Sequence, residues 1–374
     1  MMLRSFLSVI LFSSVGCIAL DEPSPVEQPG ERPPSIAITA LIPGSACART
    51  MDGTVVCRGN SGWSPSADFA DMIGMARVAE EGLGRPTFST SCLVTSAGAV
   101  RCTGYGGLPI ATDGTCSHGG GFLSGPETTV PCARAWHEIA GLDRVTQIAG
   151  SCVLRDDGSV RCWPAATKPA YVAVREVSLP ERATRISAAA NGRRACALLQ
   201  SRRIACWDPA RDVAPTVVGG LDDVHDLGVA SDHACVIRGD GAAFCWGENH
   251  CGQLGDGTTI HREAPTRVLG DRVHRRLIAS SLFWVGTTCS LTDAGEIACW
   301  GAAGPQTETA SASVEAKDCP LRAVRLPWTV AGVSDARDFT LDDTTLRVLR
   351  ADGAVLEIGR LDDGEVKLVS VAPR

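Results

Sequence analysis

The chain has 374 residues, 44% of them hydrophobic but only 5% aromatic, so it can build a large domain without the ring-rich centre of a single packed core. Its 42 acidic and 35 basic residues give a formal net charge of −7, which argues against a phosphate-binding face and against nucleic acid as a partner. Seventeen cysteines exclude a reducing compartment if most of them are paired.

Residues 1–20 read as an export signal: Arg4, an apolar run from Phe6 to Val15, then small residues. That run is too short to span a bilayer as a mature helix. Ser14-Val15-Gly16-Cys17 resembles a bacterial lipoprotein box, which would make Cys17 the acylated mature N-terminus. The rival is ordinary cleavage after Ala19. Parity favours lipidation, because Cys17 is the odd cysteine and lies outside every repeat. Residues 21–35 are rich in proline and charge and form an extended tether.

From residue 36 onward the chain repeats. Cys47/Cys57, Cys92/Cys102, Cys152/Cys162, Cys196/Cys206, Cys235/Cys245 and Cys289/Cys299 each bracket nine residues. Six positions after the first Cys stands Gly53, Gly98, Gly158, Gly241 or Gly295, with Arg202 the exception. Eight positions after it the residue is always apolar. Counting the first Cys as zero, positions 0, +2, +8 and +10 share parity, so they point to one face of a hairpin, 0 opposite +10 and +2 opposite +8. The centre, as in Gly239-Asp240-Gly241, suits a type I turn whose Gly takes the left-handed position. Each pair therefore predicts a disulfide stapling a two-stranded hairpin. A seventh copy, Leu346 to Gly359, keeps Asp352-Gly353 and Val355 but places Arg347 and Glu357 at the cysteine positions, where an exposed ion pair replaces the bond.

Short apolar segments flank the hairpins, such as Val145–Ala149 before one and Pro215–Val218 after another. Four short strands repeated seven times predict an all-β, seven-bladed β-propeller over residues 36–374, with a solenoid as runner-up. The segments Ile36–Thr39 and Val366–Val371 are expected to meet and close the ring.

Cys116, Cys132, Cys251 and Cys319 lie outside the hairpins. Of their three connectivities the preferred one is Cys116–Cys132 with Cys251–Cys319. His118 beside Cys116 and His250 beside Cys251 suggest a metal alternative, but no close Cys-x-x-Cys accompanies them, and no metal is expected. The long segments Tyr105–Pro131 and Gly301–Cys319 both follow a third strand and should emerge on one face. The first carries the candidate binding residues His118, Phe122 and Leu123. Trp163, Trp207, Trp246 and Trp300 all stand one place after the second Cys, a regularity that predicts packing between blades. Arg272 to Arg276, with His274, reads as a solvated loop.

The run Cys245-Trp246-Gly247-Glu248-Asn249-His250-Cys251-Gly252-Gln253-Leu254-Gly255-Asp256-Gly257-Thr258-Thr259 resembles the signature of the regulator-of-chromosome-condensation repeat family. Reduced forms recur at Cys299-Trp300-Gly301, Cys162-Trp163 and Cys206-Trp207. The resemblance covers roughly residues 36–374 and implies a propeller that binds proteins through its faces. Bacterial relatives of the repeat are commonly secreted or surface-tethered, and one group inhibits β-lactamases. Within the family the pair equivalent to Asp232-His233 is structural, and Glu248, Asn249 and Gln253 brace the turn. The nucleotide-exchange activity of the eponymous member does not carry over to an acidic, exported, cystine-rich chain.

No elbow, zinc-binding helix, phosphate loop or dinucleotide fingerprint is present. The expectation is a noncatalytic, monomeric, cell-envelope propeller without cofactor. It would be tethered at the outer membrane or cell surface through Cys17 and bind a protein partner. The alternatives are an envelope hydrolase or lyase acting at the central funnel, and a released inhibitor of another enzyme.

Overall fold

The computed structural model describes residues 38–43, 45–59, 62–82, 85–105, 113–118, 128–163, 174–211, 213–282, 285–302, 313–314, 319, 323–342, 345–358 and 368–371. The signal segment, Cys17 and the tether lie outside these residues, as do Phe122, Leu123 and the side chains of Cys116 and His118.

Each repeat folds as its own antiparallel sheet, and there are seven sheets. Blade one runs from Ile38–Leu41 through Cys47–Thr50 and Val55–Gly59 to Gly62–Pro65. Blades three, four, five and seven repeat this order, ending in Arg175–Glu176, Thr216–Val217, Arg262–Arg267 and Leu368–Val371. Two outer strands of only two residues leave little free edge for other chains to pair with.

The hairpin register is the one the cysteine parity demands. Cys152 faces Cys162 and Leu154 faces Val160, and the other five pairs align in the same way. All six pairs, from Cys47–Cys57 in blade one to Cys289–Cys299 in blade six, are disulfides with Cα atoms 4.0–4.1 Å apart. The turn residues take left-handed φ, from 76° at Gly295 to 88° at Gly53, and Arg202 is forced to 61°. A second constraint on these glycines comes from the neighbouring blade. The carbonyls of Gly98, Gly158, Gly241 and Gly295 each accept the N–H that opens the next blade's inner strand, at 2.9–3.0 Å, and Arg202 O does the same for Val224. A Cβ on Gly98 would lie 2.9 Å from Arg144 Cα, so the hook needs the missing side chain as well as the turn.

Between blades the two sheet faces have different jobs. The cystine of one blade points to the next, and in blades three to six a Trp covers it. Trp163 packs with Cys92 and Cys102, Trp207 with Cys152 and Cys162, Trp246 with Cys196 and Cys206, and Trp300 with Cys235 and Cys245. The core is thus a set of seams, which is why few aromatics suffice.

The six bridges all form, but they are not equally covered. Cys57 is bonded to Cys47 as expected, yet it is only half-buried, whereas both sulfurs of the bridges in blades two, three, five and six are buried. The reason lies in the next blade, where Thr103 stands at the Trp position and supplies no indole to cover Cys57. That seam is filled instead from Met72 and Leu93, with Phe69, Met75 and Trp136 at its margin. Cys206 is half-buried too, under a Trp246 that is itself half-buried.

Arg347 does pair with Glu357 at 3.2 Å, but the pair is not exposed: Arg347 is buried, because this face meets blade one. There Arg58, at the position where blades three to six carry Trp, reaches Glu357 at 3.5 Å. Beside the charges Leu349 and Val355 pack on Ile38, Leu41, Ala48 and Val56, closing the ring by side-chain contact without strand exchange. The stretch Arg272–Arg276 is loop only as far as Val273. His274–Leu282 is the inner strand of blade six, with His274 buried and Arg276 paired to Asp338, since the repeat's apolar periodicity continues through Leu277 and Ala279.

The two insertions also fold further than a loop reading allows. In blade two Gly114–His118 returns as a fifth strand beside Thr128–Glu138. In blade six Ser313–Val314 does so beside Ala323–Thr329. Blade two has a further surprise, an 11-residue pair of inner strands, Met72–Gly82 and Arg85–Thr95. Because strands alternate in direction, the 1-to-2 and 3-to-4 connections leave on one face, and the Asp-Gly turns leave on the other.

Candidate functional site

The inner strands surround a central channel of about 270 Å³, lined from all seven blades by residues including Pro43, Met75, Gln147, Arg185, Ser281 and Thr340. An inner strand has one unpaired edge, and its backbone groups need partners. The third residue of successive inner strands supplies them. Gln147 donates to Ile186 O at 2.8 Å and accepts from Ile186 N at 3.0 Å, so its amide imitates a neighbouring strand. Asp226 accepts from Leu277 N at 2.7 Å. Arg185 meets Asp226 at 2.9 Å, and Arg276 meets Asp338 while lying over the Phe339 ring. The charges alternate around the channel. Burial raises the Asp226 carboxyl above its ordinary value despite Arg185, and burial lowers the Arg276 guanidinium. Ala40 and Gly74 hold the same strand position in blades one and two, so the polar girdle covers only five blades.

The motif of blade five builds a second network at the seam with blade six. His233 Nδ1 lies 2.8 Å from Asp232, and its Nε2 lies 2.8 Å from Thr288 Oγ1 on blade six. Gln253 Nε2 donates to Asp232 at 3.0 Å, and Ser281 also donates to it. Burial alone would raise the Asp232 carboxyl, but His233, Ser281 and Gln253 outweigh it and hold it at about 2. The carboxylate, imidazole and hydroxyl are spaced like an acyl-transfer triad. Yet His233 and Thr288 are fully buried, and the Thr288 hydroxyl is also 3.2 Å from Gln253 O. A nucleophile needs a face open to substrate, and this one is closed on both sides. What the network does is fix blade five to blade six.

The turn itself is held by Asn249, which is buried and donates to Asp256, to the Thr258 carbonyl and to Ile260 O, while Leu254 N donates to Asn249 Oδ1 at 3.0 Å. Arg262 locks Asp256 at 2.8 Å. Glu248 is on the surface, 3.6 Å from His261, and does not brace the turn as Asn249 and Gln253 do. Leu254 and Gly255 then lie over Trp300.

Cys251 is joined to Cys319, with Cα atoms 5.2 Å apart, so its sulfur is not free for a metal beside His250. Cys132 is disulfide-bonded, and the side chain of Cys116 lies outside the described residues. Among the described residues no group of three or more His, Cys, Asp or Glu could hold a metal, and no helix is long and apolar enough to cross a membrane. Sequence reasoning missed the channel girdle. Its only trace is polar residues at the third place of otherwise apolar strands, visible once the strands are aligned.

Seven sheets, cystine-to-Trp seams and a buried Asp-His network between blades define a repeat β-propeller. Models of the regulator of chromosome condensation (RCC1) repeat match residues 224–253 and 240–281, overlapping at this motif. The fold is a β-propeller, and residues 224–281 carry the RCC1 repeat. Yeast RCC1 (Prp20), solved bound to Kap60, is similar over 95% of this chain and 91% of its own, at 13% identity and a TM-score of 0.63. Prp20p of Saccharomyces cerevisiae, whose binding to Gsp1p and histones was examined with its structure, matches over 84% and 80% at 15% identity and a TM-score of 0.58. Human WBSCR16 matches over 79% of each chain at 14% identity and a TM-score of 0.54.

Proposed function

We propose that this chain is a noncatalytic, protein-binding propeller of the cell envelope, exported by residues 1–20 and anchored by a lipid on Cys17 at a bacterial outer membrane or surface. The observation that carries the binding reading is the placement of its extra structure. The lengthened hairpin of blade two and the inserted strands of blades two and six all belong to connections that leave on one face. Propellers present partners with loops on a rigid scaffold, and this chain has elaborated one side of the ring. The yeast propeller of the same fold binds proteins, which supports the class of ligand. Covalent bonds in six blades fit an oxidising compartment, which supports export.

Capture from the native envelope with the oxidised ectodomain tests the binding reading. Photo-crosslinkers placed on the inserted-strand face should trap a partner, and those on the Asp-Gly turn face should not. Trapping only from the turn face would refute it. Mass spectrometry of the mature N-terminus tests the anchor: an acylated Cys17 is expected, and a chain beginning after Ala19 would remove it.

A further inference from the structure

We propose that the groove over Trp246, at the seam of blades four and five, receives a partner segment presenting an aliphatic side chain beside a carboxylate. This rests on the protein-binding reading and names the place and chemistry of one contact.

The molecule shows in its own intact seam what covers a tryptophan at this repeat position. Between blades five and six the turn Asn249–Asp256 lies on Trp300, which is completely buried. Leu254 packs with that indole, and a Cβ on Gly255 would sit 2.9 Å from its Cδ1. Beside it, Gln253 Cα would be 3.2 Å from a Cβ on Gly301. Blade four carries no such motif. Its chain passes from Trp207 to Thr216 through Asp208–Pro215, without the Gly-Gln-Leu-Gly-Asp run.

The consequence is an open counterpart of the same site. Trp246 is only half-buried, and a groove of about 300 Å³ remains, lined by Arg193, Arg194, Cys206, Trp207, Asp208 and Trp246. Gly247 stands where Gly301 stands in the next blade, and Arg194 Nη1 would be 3.2 Å from a Cβ placed there. Arg194 thus holds the position that Gln253 holds at the intact seam, and the part that Leu254 covers is open.

Polar groups select what fills it. Arg194 Nη1 is buried without an acceptor. Buried donors without acceptors carry a desolvation cost that an incoming acceptor removes. Arg193 adds an exposed positive charge. Of the nearby acids, Asp208 is engaged with Ala210 N at 2.9 Å and Arg211 at 3.2 Å, and Asp232 and Glu248 act on Arg194 through space while its Nη1 keeps no acceptor. An indole floor with guanidinium donors at its rim fits an aliphatic group next to an Asp or Glu side chain.

The probe is the acetylated, amidated hexapeptide Gly-Gln-Leu-Gly-Asp-Gly, which copies residues 252–257, added to the full oxidised ectodomain. Indole N–H resonances report binding. The Trp246 signal should shift saturably while the Trp300 signal stays fixed. Replacing the peptide's Leu by Ser or its Asp by Asn should weaken binding about tenfold. Arg194→Gln should do the same with an unchanged melt. If that variant does not fold, the peptide series on the natural chain carries the test. Absence of saturable shifts, or equal affinity for all three peptides, overturns the proposal. Envelope capture separates it from the broader reading: identical partners on natural and Arg194→Gln propellers would remove the groove and leave protein binding intact. No partner on either would remove protein binding itself.

Discussion

Between blades five and six, Trp300 lies on the Cys235–Cys245 bridge, and a buried Asp-His-Thr chain ties the two sheets above it. Between blades seven and one, Arg58 lies against Glu357, which pairs with Arg347, and aliphatic side chains pack beside them. The residues occupy matching repeat positions, so sulfur and indole have been exchanged together for an acid and two bases. A seam therefore behaves as one unit shared by two blades. What a blade puts at its two cysteine positions favours what the next puts one place after its own second position. An apolar cystine favours an aromatic cover, whereas a half-buried carboxylate needs a cation. The seam of blades one and two tests the rule from the other side: with Thr103 in place of an indole, Cys57 keeps its bond but loses part of its cover.

The largest separation of the two seams should come from a strong reductant. Each hairpin bridge closes a loop of about ten residues, and the chain-entropy model gives about 2–3 kcal/mol for each. Calorimetry should show the midpoint falling on the order of 10 °C or more. Hydrogen exchange should quicken least in the hairpin Leu346–Ile358, which has no sulfur to lose. An unchanged transition would show that the bridges are dispensable.

Trp300→Ala should cost about 3–5 kcal/mol in urea denaturation, because it opens a cavity under the fixed turn of blade five. Trp246→Ala, at the open seam, should cost less than half as much. Equal losses would mean that the motif turn contributes nothing to the burial of Trp300.

Acid should weaken the five–six seam through His274, which sits edge-on to Trp300 at 6.0 Å. Burial, helped by Arg272, lowers its imidazole to about 4. A folded value below the unfolded 6.5 means that the unfolded chain binds the extra proton between those limits. Stability from the neutral ring is then complete above about 6.5 and is lost as the pH falls toward 4, by at most roughly 3 kcal/mol. His274→Gln should flatten this part of the stability curve. A slope unchanged by that substitution would assign the titration elsewhere.

The closing seam answers to charge instead. Glu357→Gln should cost about 1–3 kcal/mol by leaving Arg347 buried beside a neutral amide. Molar salt should weaken the natural seam but leave the variant almost unchanged. Arg202→Gly makes the smallest difference and the only gain, about 0.5–1 kcal/mol, by relieving a left-handed side chain in the one hairpin without glycine. A loss there would mean that the surface pair Arg202–Asp223, at 2.7 Å, outweighs the strain.

Residue order alone determined the hairpins, their register, their turns and the number of blades. Each depends on neighbours within about ten residues, where parity and glycine placement leave one solution. It also placed Trp163, Trp207, Trp246 and Trp300 on the face opposite the cystines, since one step along a strand reverses the side. Contacts between blades needed the closed ring. Nothing local in Arg347 and Glu357 says that their face is covered, because Arg58, almost 300 positions away, is what covers it. The girdle from Gln147 to Asp338 forms only when the inner edges of five sheets converge, and the same convergence makes Arg276 part of the channel wall. The groove over Trp246 exists because blade four has a short connection where blade five has a long one, a difference that acquires meaning only when the two seams lie side by side.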